Sequence, residues 1–260
     1  VENGVNRFLA RQAVYTRLEG AYSPTGQSGY QLAFYPSGLD AHLRRKLEEL
    51  LPGFRPRAPE DVRVQFAALD ENCFMVSHTS VPEIDEESIG IADRSGQAAL
   101  AHALLIPRHG MRAIDFNPFR VIDTVPWLIS FRTLIDRFHG SDGSIPRLTV
   151  RPIEKSDEPP QEVSAAELDD IRHVVRQARE WQSQGETLDV EATPSEAADW
   201  FRLLFHHASP EDAELCSFTT SFDPYDQPRG RFWAVARPRA GLGTNTRYYL
   251  AEKRLVRVQP

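Results

Sequence analysis

The sequence predicts an α+β fold, β-rich and built mainly of antiparallel hairpins with four or more packed helices. Three observations carry this. Short β-branched and aromatic runs recur on either side of turn-forming residues, and two capping boxes open amphipathic stretches after residue 163. Strands and helices do not alternate regularly enough for a doubly wound parallel sheet.

Residues 12–18 (QAVYTRL) and 29–35 (GYQLAFY) flank AYSPTGQS, whose Ser, Pro and Gly favour a turn, so the chain opens on a hairpin. Asp40 caps a helix that aligns Leu43, Leu47, Leu50 and Leu51, and Pro52-Gly53 stops it. In VRVQFAAL (62–69), apolar Val62, Val64, Phe66 and Ala68 alternate with Arg63 and Gln65, the period of a half-buried strand; CFMVSH (73–78) completes a second hairpin. AALAHALLIP (98–107) is nearly continuous in apolar residues and reads as a central strand. A helix follows, capped by Asp123 or Thr124, with Pro126 near its start and Leu128, Phe131, Leu134, Ile135 and Phe138 on one face.

The polar, Pro-rich stretch IEKSDEPPQE (153–162) is the best boundary. It divides a β-rich segment, 1–152, from 163–260, a helical pair followed by strands, the two packed either apart or as one unit. Ser164 to Glu167 and Thr193 to Glu196 are the capping boxes of that pair. SFTTSF (217–222), RFWAVAR (231–237) and the Tyr-rich end read as strands.

With 260 residues, 41% hydrophobic and 26% charged, the chain can bury a sizeable core. Thirty basic against thirty-seven acidic residues give a net charge of −7, which excludes a uniformly basic nucleic-acid coat. Two cysteines cannot staple a scaffold and point to a reduced, cytoplasmic compartment. The first residues lack a signal-peptide core, and the longest apolar run is about half a membrane span, so membrane insertion is not expected. Only Lys46, Lys155 and Lys253 are lysines, a bias that a GC-rich genome explains.

Sequence motifs for catalysis fail one by one. The chain has no P-loop, H-E-x-x-H, C-x-x-C or G-x-S-x-G, and Gly241-Leu-Gly-Thr-Asn-Thr lacks the third glycine of a dinucleotide fingerprint. Neither a metal nor another cofactor is expected. A hydrolase or nuclease with a dispersed site remains an alternative, through His102 inside its apolar strand or the carboxylates Glu83, Asp85, Glu86 and Glu87. His102 must either hydrogen-bond within the core or face a pocket. His206-His207 fits a charged helix C-cap, and Cys73 and Cys216 fit buried packing.

Charge is unevenly spread. From residue 229 onward eight basic residues face Glu252 alone, a local +7, with Phe232, Trp233, Tyr248 and Tyr249 interleaved. Arg231 to Arg237 and Arg254 to Arg257 read as exposed strand faces, making Arg237, Arg247, Arg254 and Arg257 the candidate interaction residues. Nucleic acid is one partner for such a surface, though not the favoured one. An acidic protein surface serves equally, including the −7 stretch 154–191 of this chain.

The ordered segments QAVYTRLEG, SGYQLAFYPSGL, SVPEIDEESIGIADRSGQAALAHALLIP and LCSFTTSF resemble the N-terminal domain of bacterial GTPase-associated adaptor proteins of conflict and signalling systems. The resemblance spans most of residues 8–222. It implies a non-enzymatic protein-interaction role beside a GTPase or other NTPase, and marks Tyr15, Gly29-Tyr30, Arg94-Ser95-Gly96 and Ala101-His102-Ala103 as the most family-like region. Tyr15, Tyr30, Arg94 and His102 are therefore the candidate pocket. Such adaptors usually continue into further domains, whereas this sequence has 260 residues.

Overall fold

The computed structural model describes residues 7–54, 61–82, 98–138, 140–157, 164–183, 187–221, 232–237, 246–249 and 254–257. Side chains alternate strictly along the first strand, β1 (Phe8–Leu18): Leu9, Arg11, Ala13 and Tyr15 point to one face, Phe8, Ala10, Gln12 and Val14 to the other. β1 pairs antiparallel with β2 (Gly29–Phe34) and β5 (Leu100–Pro107). Its first residues pair with β6 (Leu148–Val150). β3 (Arg63–Ala68) and β4 (Cys73–Ser80) form the second hairpin, and β4 joins it to β5, which is central as its apolar run predicts.

One mixed, mostly antiparallel sheet results, continuing through β8 (Phe218–Thr219) and β9 (Ala234–Arg237) to β7 (Leu188–Glu191), β10 (Thr246–Tyr249) and β11 (Arg254–Arg257). β8, β9, β7 and β10 run parallel to one another, while β11 is antiparallel to β10. Residues 153–162 separate the elements in sequence but not in the sheet, because β8 pairs with β3.

Two layers cover the sheet. On one face lies α1 (Ala41–Leu50), with Asp40 accepting from the His42 and Leu43 N–H groups. Small residues Ala13, Ala101 and Ala103 lie beneath it, in one hydrophobic cluster with Leu43, Leu47 and Leu50. The other face carries α2 (Arg108–Arg112), α3 (Phe119–Ile122), α4 (Phe131–Phe138), α5 (Ala165–Ser183) and α6 (Pro194–His207), with α7 (Pro210–Leu215) following. Thr193 and Glu196 close the expected capping box on α6. Gly110 lets α2 sit against the sheet: a Cβ there would meet Phe8 and Ile106 at 3.1 Å.

Two expectations are corrected. Arg63 and Gln65 do not face solvent but are buried at 2% and 1% exposure, under the C-terminus of α1. Gln65 donates to the Leu50 carbonyl at 3.0 Å, and Arg63 to the carbonyls of Leu51 and Pro52, the latter at 2.8 Å. These polar residues are thus donors for the open end of a helix. The helix expected from Asp123 starts only at Phe131, where Ser130 Oγ accepts from the Thr133 N–H. Upstream, the Trp127 indole donates to the Ile122 carbonyl and the Leu128 N–H is taken by a side chain of the sheet, and these residues are in no helix or strand. The sequence pattern anticipated neither α2, α3 and α7 nor β6 and β7.

Candidate functional site

His102 is buried at 1% exposure on the helical face of β5. The Leu128 N–H donates to its Nδ1 at 3.1 Å, which leaves the proton on Nε2 to donate to Gln12 Oε1 at 3.0 Å. Gln12 in turn donates to the Pro146 carbonyl at 2.6 Å. His78 lies directly across in β4 and stacks on Trp127 at 5.6 Å, while His102 meets the same indole edge-on at 5.3 Å. Burial, then His78 and Arg137, push His102 down to about 3, and burial pushes His78 down to about 4. Both rings are therefore neutral structural groups at neutral pH.

This has a measurable consequence. Near pH 6.5 the unfolded chain begins to take up protons that the folded protein refuses, so stability falls as pH drops from about 6.5 towards 4. The slope approaches about 1.4 kcal/mol per pH unit for each histidine, and stability is flat with respect to both above pH 7. Urea midpoints measured between pH 7.5 and about 4.5 test it; His78→Phe, which keeps the stack on Trp127, is expected to roughly halve the slope.

Nor do the other candidate pocket residues join His102. Tyr15 and Tyr30 stack at 5.9 Å, with Tyr15 on the opposite, α1 face of the sheet and Arg17 over the Tyr30 ring at 5.8 Å. The Tyr30 hydroxyl accepts from the Ala99 N–H. Burial and the neighbouring Tyr30 raise the Tyr15 pKa, so it is a neutral phenol. Arg94 lies outside the described residues, as do the carboxylates at 83–87.

Arg237 is a correction. It was expected on an exposed face, yet it is fully buried, with its Nε 3.6 Å from Asp189 Oδ2 of the adjacent β7. The sheet is covered on both faces there, and the charge is kept by pairing rather than by solvent. Arg247 lies opposite Asp189 in the β10–β7 register, while Arg254 and Arg257 stand at the ends of β11. His207 is not a charged cap either: burial, then His206 and Arg172, lower its pKa.

A concave surface that sequence reasoning missed opens beyond the edge of α1. α1 covers the middle of its face but not the end where β1 leaves β5 and pairs with β6. There a cavity of about 700 Å³ is floored by Leu105 and Cys73 and flanked by Leu9, which is 52% exposed. Arg7, Arg11 and Arg147 line it, together with His109 and one acid, Asp70. These residues are distant in sequence: the β4–β5 and β1–β5 pairings bring Cys73, Leu105 and Arg11 together, and the β1–β6 pairing adds Arg147.

Set beside protein-family models, curated proteins and solved structures, the chain matches none of them. The site must be judged from its own chemistry.

Cys73 lies in the floor of the cavity, and burial raises its thiol pKa despite Arg11, whose Nη2 lies 3.7 Å from the sulfur. Such a thiol packs rather than reacts. Among the described residues no group of three or more His, Cys, Asp or Glu is placed to hold a metal, and no helix is long and apolar enough to cross a membrane. What the cavity offers is cationic donors around an apolar floor, an arrangement that binds anions bearing an apolar group.

Proposed function

We propose that this protein is a non-enzymatic interaction module of the bacterial GTPase-associated adaptor kind, holding a partner protein inside the cell. A GTPase or other NTPase of a signalling or defence system is the partner class in view. The single observation that carries the reading is the contrast between two sites. His102, the imidazole a dispersed hydrolase would use, is sealed in the core with Gln12 and the Leu128 N–H as partners, while the accessible concave surface presents guanidiniums beside a thiol whose pKa burial raises. Recognition without chemistry is what such a surface supports.

The test is affinity capture of the full chain from its native host, with products of neighbouring genes as the candidate partners. One of those neighbours should be recovered reproducibly. Robust turnover by the isolated chain, abolished by a single substitution, would overturn the reading.

A further inference from the structure

We infer that the cavity beyond α1 is the docking site for an extended acidic segment of the partner, its carboxylates meeting Arg7, Arg11 and Arg147 and an apolar side chain resting on Leu9, Leu105 and Cys73. The inference rests on the adaptor reading and gives it a location and a chemistry.

Register supplies the first argument. Phe8, Leu9 and Ala10 pair with Val150, Thr149 and Leu148, which brings Arg147, just before β6, to the same cavity as Arg11. Like charges gathered around one cavity repel each other. Arg7 adds a third guanidinium to the same cavity. None of the three forms an ion pair with a described residue, and the acid in the lining, Asp70, accepts the Asn72 N–H at 2.7 Å through Oδ1. An incoming carboxylate pair would relieve this repulsion through charge-assisted hydrogen bonds.

The floor supplies the second. Leu105 and Cys73 are buried at 0% and 4%, whereas Leu9 stands at 52%, an uncovered apolar residue beside the cationic rim. A volume of about 700 Å³ accommodates a few side chains of an extended peptide. A single-stranded nucleic acid would stack its bases on aromatic platforms, and the one phenyl ring in the lining, Phe8, is buried at 7%.

The experiment uses the full chain and fluorescence anisotropy with three labelled hexapeptides: EELFEE, the charge-reversed KKLFKK, and EESSEE without the apolar anchor. EELFEE is expected to bind, to weaken as salt rises, and to outcompete both others. The double variant Arg7→Glu with Arg147→Glu, both exposed positions, should lose roughly tenfold or more in affinity for EELFEE, and Leu9→Ser should weaken it as well. Urea midpoints of the variants identify any that unfold, in which case Arg147→Gln replaces the double variant. Equal binding of KKLFKK or EESSEE, unchanged binding by folded variants, or binding of octanoate without EELFEE would overturn the inference. If the double variant still captures the same neighbour-encoded partner as the wild type, the docking site is wrong and the adaptor reading stands. Turnover by the isolated chain removes the adaptor reading whatever the peptides do.

Discussion

Replacing Arg237 with methionine is expected to cost about 3–5 kcal/mol of folding stability, the range for breaking a buried ion pair from one side. Arg237 and Asp189 are 0% and 1% exposed and belong to adjacent parallel strands, so the substitution leaves a desolvated carboxylate without this cation. Asp189→Leu alone should cost a similar amount by removing the carboxylate that faces the buried guanidinium. The double variant Asp189→Leu with Arg237→Met should recover much of the loss, because two apolar side chains need no solvation. Urea denaturation of the three variants checks this, and additive losses would show that the two charges are not coupled. Glutamate at position 237 is expected to prevent folding rather than to slow association, the reverse of what an exposed strand face would give.

The misreading of Arg237 has the same cause as that of Arg63 and Gln65. Alternation in RFWAVAR or VRVQFAAL reveals that a strand has two kinds of side chain, but not whether a second layer covers the polar ones. In this sheet α1 covers Arg63 and Gln65 and turns them into donors for its own last carbonyls. A buried charge also hid β7, since Asp189 and Glu191 break up the apolar pattern of Leu188 and Val190. Local chemistry was more legible: the Asp40 cap, the Thr193 to Glu196 box and the central β5 all follow from neighbouring residues. α7 carried a readable signal too, Ser209 capping with Pro210 behind it. The cavity carried none, because Arg7, Arg11, Cys73 and Arg147 become neighbours only when β1 and β4 flank β5 and β6 closes onto β1.

Phe218→Ala is expected to lower stability by about 3–5 kcal/mol, the cost of deleting a buried phenyl ring and leaving its cavity. Phe218 is wholly buried and its ring touches Phe201 at 4.3 Å, Phe205 at 5.4 Å, Phe119 at 5.7 Å and Phe66 at 6.3 Å. Phe66 and Phe119 precede the stretch 153–162, and the other two follow it. β8, which carries Phe218, is only two residues long, yet it pairs with β3 on one side and β9 on the other. Beside it the Val64 N–H donates to Thr220 Oγ1, and the Thr220 N–H to the Val64 carbonyl. The seam therefore ties both segments into one core, and the wild type should unfold in a single transition seen alike by far-UV circular dichroism and tryptophan fluorescence. Phe218→Leu, which keeps most of the volume, should cost well under half as much as alanine. If Phe218→Ala instead lowers the midpoint of one probe and leaves the other at its wild-type value, the two segments fold separately and the seam contributes little to either.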